Sequence, residues 1–446
     1  MTISRLAILK GAGWIFLSYV ASLAFRFASN IVLARILAPD IFGAMVIIST
    51  MKIGVELTSD LGIGQNIIYS AKSQDPDFYN TAWTLQLLRG VFLFVVCFLI
   101  SAPLAEFYGI PIGAAQAASL AFLFAGASSL SLSLMLRSMS LAQRNLYDAA
   151  LDFVTLVIQV AFCYWSPTLW SLIIAGLIGG FIRSVTSYWL PSPRHRLLLK
   201  PAHAWEIVHF GKWIFVSSVV LFASSYTDRL YLGSIAWLAV LGIYSIARSI
   251  SELPTALATR LSQFIVFPVT STTELPRTVL RSKAAPLRMA SLLMAAVVLA
   301  LGAGLADVLI GTVYDERYRE AGWMLTVLLL GAWGAVLCSF NEASLLGFGK
   351  PQYAALANTA KLACLIVGLP VSFLHFGMLG AVCVIALSDA FRYFPILLGQ
   401  ARERFTFATQ DLIATLMLVV VFLGFLAARQ ASGWGGPFDG LHVGPA

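Results

Sequence analysis

"WIFVSSVVLFASSYTDRLYLG", residues 213–233, is an apolar run with a hydroxyl-rich stripe that ends on two adjacent opposite charges, Asp228 and Arg229. An Asp or Arg near the middle of a bilayer costs about 2.5–3.5 kcal/mol, and a Leu or Ile returns only about 0.3–0.6 kcal/mol. A segment that keeps both charges has somewhere other than lipid to put them. Shifting the sequence by 199 residues lays "WIFLSYVASLA" at 14–24 over "WIFVSSVVLFA" at 213–223, with Trp, Ile, Phe, Ser, Val and Ala shared. Ile36 then meets Ile235, Gly43 meets Gly242 and Ile47 meets Ile246, without a gap. The chain is a repeat.

Composition gives the repeat its medium. Hydrophobic residues make up 59% of the 446 residues and charged ones only 11%, where a soluble domain carries about 25% charged residues. Runs near the roughly 20 residues a spanning helix needs occur almost end to end. They lie at about 11–34, 41–69, 80–102, 112–135, 146–165 and 167–189, then at 211–232, 239–268, 286–310, 321–345, 352–374 and 377–399, with one more at 411–428. The expected fold is an all-α polytopic membrane protein with two pseudo-symmetric six-helix lobes around a central cavity, plus one extra C-terminal helix. The lobes are residues 1–189 and 211–399. A polar connector occupies 190–210, and 400–446 hold the added helix and tail. Parallel six-helix repeats of this kind place a substrate site between the halves.

Lys and Arg concentrate in alternate loops: Arg5 and Lys10, Lys72, Arg137 and Arg144, Arg194 to Lys200, Arg277 to Arg288, Lys350, and Arg402 with Arg404. The positive-inside rule then puts the N-terminus in the cytoplasm, and the first helix reads as a retained span rather than a cleaved signal. The net charge of +8 is accounted for by topology, and no nucleic-acid partner is expected. Cys97, Cys163, Cys338, Cys364 and Cys383 lie singly in apolar runs, so no metal site or disulfide framework is expected. His195, His203 and His209 share the connector and read as solvated loop residues. No nucleotide-binding loop is present, so no cofactor is expected.

Charges inside the runs are the candidate site. Ser18, Ser22, Arg26 and Asn30 recur every four residues in the first run, which keeps them on one slowly winding helix face. The repeat register sets Asn30 against Arg229. The second helix of each lobe adds a basic–acidic pair one turn apart, Lys52 with Glu56 and Arg248 with Glu252, and Pro254 follows as a kink. Arg26, Asn30, Lys52, Arg229 and Arg248 are therefore the candidate substrate-binding set, a predominantly basic cavity suited to a phosphate or acidic sugar, because an Arg fork donates two parallel hydrogen bonds. Glu56, Asp228 and Glu252 either hold these cations in place or couple transport to a proton or sodium ion. Arg89, Arg183, Lys361, Asn341, Glu342, Asp389 and Arg392 stay open between lining the cavity and stitching each lobe. Gly176, Gly179 and Gly180 read as close-packing positions.

Several stretches carry a family likeness: "NIVLARILAPDIFGAMVI" at 30–47, "SDLGIGQNII" at 59–68, "APLAEFYG" at 102–109, and "TDRLYLG" with "LGIYSIA" across 227–247. Over roughly residues 8–400 the chain resembles the Wzx-type oligosaccharide flippases, the polysaccharide transporters of the multidrug/oligosaccharidyl-lipid/polysaccharide exporter superfamily. Ala239 departs from the acidic residue usual in that turn, and the 411–428 helix exceeds a twelve-span core. The resemblance implies a flippase, not an enzyme, of the bacterial cytoplasmic membrane. It would translocate undecaprenyl-pyrophosphate-linked oligosaccharide repeat units by alternating access, for exopolysaccharide, capsule or O-antigen synthesis. Besides the lipid-linked substrate and membrane lipids, a polysaccharide polymerase and a chain-length regulator are the implied neighbours. The alternatives within the superfamily are a lipid II flippase and a cation-coupled multidrug antiporter. A membrane glycosyltransferase or polymerase is disfavoured because the longest inter-span loop is about twenty residues and basic.

Overall fold

The computed structural model describes residues 20, 22–25, 27–60, 62–70, 72, 75–137, 141–271 and 276–439. Arg26 and Ser18, and most of the first run, lie outside the described residues. Among the described residues the regular structure is entirely helical. The long helices are α1 (Pro39–Leu57), α2 (Pro76–Tyr108), α3 (Leu141–Trp165), α4 (Leu169–Ser187), α5 (Pro201–Ile235), α6 (Leu238–Ile265), α7 (Arg277–Gly304), α8 (Ala321–Gly347), α9 (Gln352–Arg402) and α10 (Ala408–Ala431). Starts and stops follow local chemistry. Asp75 accepts from the Asp77 amide to cap α2, Pro76 fills the first helical position, and Gly109 ends the helix in the left-handed region at φ 65°.

Seven helices among the described residues are long and apolar enough to cross a membrane. The number is eight if Ile112–Ala127 and Ser131–Arg137, bent by 54°, form one broken span. The thirteen runs read from the sequence include further candidates. α9 has 51 residues and is broken at Gly377, whose φ of 57° and ψ of −144° are open to glycine and strained for other residues. The two halves fold back, so that Lys361 meets Asp389. α5 with 35 residues and α6 with 28 are about 52 and 42 Å long, beyond the roughly 30 Å of hydrocarbon. These two, with α1, carry the charged stripes.

The chain divides into two compact units, Met1–Phe222 with Leu232–Ala239, and Ala223–Tyr231 with Val240–Ala446. In the first, Ile63, Ile67, Phe78, Tyr79, Ala82, Leu130 and Ile207 form a core cluster. In the second, α8 is the enclosed helix, with 72% of its apolar stretch buried against 17% for α10. Large apolar side chains such as Phe92, Leu99, Val367 and Val420 face outward, as a lipid solvent requires. Of the three glycines expected to allow close packing, Gly179 does so: a Cβ there would sit 2.6 Å from Thr155 Oγ1, whereas Gly176 has nothing within 4 Å.

The connector is largely solvated as expected, with Arg194, Arg196, Leu197, Leu199, Lys200 and His209 exposed and His203 half-buried, but it is also anchored. Alternate amides of an extended run donate to side chains of α2: Arg196 to Asn80 Oδ1 at 2.8 Å, Leu198 to Thr84 Oγ1 at 3.0 Å and Lys200 to Thr81 Oγ1 at 3.3 Å. The period of two is that of an extended chain. His195 is half-buried among Tyr79, Trp83 and Tyr188, and its Nε2 lies 3.0 Å from Ser129 Oγ and 3.1 Å from the Tyr79 hydroxyl. Helix α5 begins at Pro201, ten residues ahead of the apolar run.

Candidate functional site

The second unit contains the pair that opened the sequence question. Asp228 is 2% exposed near the end of α5. It accepts from the Arg229 amide at 2.8 Å and from the Tyr244 hydroxyl at 2.6 Å. Tyr244, Arg248 and Glu252 follow at four-residue intervals on α6, so one helix face presents all three. Arg248 Nε lies 3.4 Å from Asp228 Oδ2 and 3.1 Å from Glu252 Oε1, without hydrogen-bond geometry to either. Arg229 Nη2 donates to the same Glu252 Oε1 at 2.8 Å, and its guanidinium lies 4.9 Å from the centre of the Tyr226 ring.

Two arginines and two carboxylates thus make one cluster of balanced charge. The neighbours Asp228 and Arg229 are not each other's side-chain partners; each is paired by α6. The two carboxylates are not equivalent. Asp228 has a side chain 3% exposed, whereas Glu252 is 47% exposed and bridges both guanidiniums through one oxygen. Asp228 is tied down on all sides. Among the described residues Glu252 is paired with the two cations alone, and its side chain is 47% exposed. Pro254, two residues on, has no amide and leaves the Ile250 carbonyl without its helical donor.

A second charged cluster lies on α8 and α9 of the same unit. Lys361 Nζ spans both Asp389 oxygens at 2.9 and 3.0 Å, and Arg392 Nη2 meets Glu342 Oε2 at 2.5 Å. Lys361 and Asp389 tie the two halves of α9 together, and Arg392 ties the second half to Glu342 of α8. Asn341 belongs to a third cluster, in which the fully buried Arg288 pairs with Asp411 and also donates to Asn341 and Gln410.

In the first unit, Lys52 is half-buried and Glu56 exposed. They make no ion pair among the described residues, unlike Arg248 and Glu252. Asn30 is half-buried on the 27–36 helix. Arg89 caps the end of α1, donating to the Glu56 and Ser59 carbonyls at 2.8 and 2.9 Å. Arg183 of α4 meets Asp148 at 2.7 Å and Asp152 at 3.3 Å on α3, and Ser22 reaches Asp152 at 3.3 Å. Asp148 and Asp152 were missed in the sequence, although Arg144, Asp148 and Asp152 recur at four-residue spacing. No group of three His, Cys, Asp or Glu side chains able to hold a metal occurs among the described residues.

Residues 32–322 match the family described as polysaccharide biosynthesis protein. The succinoglycan biosynthesis transport protein ExoT of Rhizobium meliloti (strain 1021) is 20% identical over 269 residues, 60% of this chain and 54% of the relative. An uncharacterised membrane protein in the cps region of Klebsiella pneumoniae is 29% identical over 97 residues, 22% of this chain and 20% of the relative. The chain therefore spans about half or less of the length of the curated relatives it matches. Among solved structures, the lipid II flippase MurJ in an inward closed conformation superposes with a TM-score of 0.72 at 11% identity, over 94% of this chain and 99% of MurJ. An inward-facing multidrug resistance MATE family transporter of the MOP superfamily gives 0.65 at 13% identity, over 86% and 94%. At such identities the likeness is one of fold, an all-helical multi-span membrane fold.

Proposed function

The chain belongs to the family of polysaccharide biosynthesis proteins, and from that premise we propose that it is a transporter, not an enzyme, that moves a lipid-linked oligosaccharide across the cytoplasmic membrane. The pyrophosphate linking glycan to lipid is taken by Arg229 and Arg248, and Glu252 occupies its seat in the empty state. The observation that carries this reading is the single Glu252 oxygen held by both guanidiniums beside a buried, separately satisfied Asp228. Exchange of one anion for another lets two arginines stay compensated throughout the cycle, which matters because an unpaired buried charge is strongly destabilising. Arg26, Asn30 and Lys52 stay candidate substrate contacts in this proposal, and Glu56, one turn after Lys52 as Glu252 is after Arg248, is a candidate charge partner. The N-terminus is cytoplasmic, and a polymerase and chain-length regulator receive the product.

The proposal is tested with inorganic pyrophosphate as the probe, titrated into purified protein. Arg229→Ala removes saturable binding. Glu252→Gln, which removes the competing charge, tightens it roughly tenfold, equivalent to about 1.4 kcal/mol. Weaker binding in Glu252→Gln would mean that the carboxylate supports the site rather than holding its place.

A further inference from the structure

At one end of the second unit, a cavity of about 880 Å³ lies between the 307–323 segment and the tail after α10. It is within the range of about 300–1,000 Å³ typical of small-ligand sites. We propose that this cavity is a glycan-binding site for neutral sugar units, formed by Trp323 and Trp434 with Asp315, Glu316, Arg319 and Glu320. It rests on the transporter reading for its ligand, and no part of it overlaps the Arg229–Arg248 cluster.

The tail wall is built rather than draped. Arg429, in the last turn of α10, grips both oxygens of Asp307 at 2.8 Å. It also accepts from the Trp434 amide at 3.1 Å through its own carbonyl. Gly433 and Gly435 take φ of 78° and 69°, which lets the chain turn back over the cavity. The Gly436 amide then donates to Asp439 Oδ2 at 2.7 Å. A wall fixed in this way has little ordering entropy left to lose on binding.

The chemistry of the lining selects the ligand. Trp434 is 65% exposed, and Trp323 is mostly buried at 8%. The open indole face of Trp434 takes the apolar face of a pyranose ring, and carboxylate and guanidinium groups take its hydroxyls. Glu316, Arg319 and Glu320 are exposed and form no ion pair among the described residues, so their hydrogen-bonding capacity is open. The lining holds five carboxylates against two guanidiniums, which disfavours phosphate and uronate and favours uncharged sugars. No three of these carboxylates are grouped to hold a metal ion. Helix α8 leads from Trp323 at this end to Gly347, beside Lys350, at the other. On the charge asymmetry of the loops, the cavity therefore opens on the external side, where the glycan would arrive.

The test uses purified full-length protein and the repeat-unit oligosaccharide of the host's own polysaccharide, freed of lipid by mild acid hydrolysis. Saturation-transfer difference NMR reads sugar contact without relying on tryptophan fluorescence. The wild type shows saturable transfer; Trp434→Ala weakens it at least tenfold and Glu320→Gln several-fold, with melting temperature unchanged because both side chains are exposed. Arg229→Ala leaves it unaltered. Absence of saturable transfer in the wild type at millimolar glycan, or transfer insensitive to Trp434→Ala, overturns the proposal. Pyrophosphate binding, measured in parallel, separates the two readings. A wild type that binds glycan but not pyrophosphate sinks the arginine site alone, and one that binds pyrophosphate but not glycan sinks the tail cavity alone.

Discussion

Asp228 and Glu252 are both carboxylates touching Arg248, yet their burial assigns them different duties. Breaking a buried pair costs about 3–5 kcal/mol, whereas an exposed ion pair is worth about 0–1 kcal/mol. Asp228→Asn should therefore lower the melting temperature of the purified protein markedly, and Glu252→Gln, whose carboxylate is half exposed but compensates two mostly buried arginines, should lower it by clearly less. Equal losses would remove the distinction between a scaffold acid and an exchangeable one. His195 gives a second test at this scale. Burial among Tyr79, Trp83 and Tyr188 pushes its pKa below the ordinary value. A histidine depressed in the folded state contributes anchoring that is full above the unfolded pKa of about 6.5 and is lost as pH falls through the folded value. The protection factors of the amides of residues 194–200, taken against their intrinsic exchange rates, should fall on acidification below pH 6, with Arg194 and Arg196 adding repulsion to the protonated ring, and His195→Gln should flatten that dependence. The sequence made the charged residues of this site conspicuous, because each violates the apolar run around it. It could not give their pairing. Asp228 finds Arg248 and not its neighbour Arg229 because helix rotation, not proximity along the chain, decides which side chains meet. His195 was invisible as an anchor, since a histidine in a basic loop looks the same whether or not an aromatic wall lies beside it.

Among the elements, α10 shows how an added helix becomes integral. Asp411 at its start meets the fully buried Arg288 of α7, with Asn341 and Tyr393 donating to the other oxygen at 2.9 and 2.7 Å. Arg429 at its end meets Asp307. The helix is fastened at both ends to the second unit. Asp411→Asn should cost about 3–5 kcal/mol, read as a large drop in melting temperature. Arg288→Met combined with Asp411→Leu should recover much of it, as apolar replacement of a buried pair does elsewhere. If the double variant is no better than the single one, the loss lies in the wider amide network and not in the pair. The apolar run at 411–428 announced the helix, but its hold on α7 was not legible. Arg288 and Asp411 are 123 residues apart, and nothing in their spacing pairs them. Gly377 was legible only as a gap between two runs, and the left-handed backbone that folds α9 back has no spacing signature.

For the whole molecule, composition and the 199-residue register gave the all-helical membrane class, because a lipid solvent leaves few other ways to satisfy a backbone. Sidedness rests on loop charge. Single cysteines placed at Lys350 and at Glu316 in a cysteine-free background should label from opposite faces in intact cells, the second alone reacting with an impermeant maleimide; labelling from one face would refute the arrangement. The central claim is that this chain carries lipid-linked glycan across the membrane by way of Arg229 and Arg248. Its most direct test is the sidedness of lipid-linked oligosaccharide in spheroplasts of the native host, with the gene intact, deleted, or carrying Arg229→Ala with Arg248→Ala. The expected result is glycan trapped on the cytoplasmic face in both the deletion and the double variant, with the variant protein still inserted at normal levels. Glycan reaching the outer face at the wild-type rate in the deletion strain, with no second transporter of the same fold expressed, would contradict it.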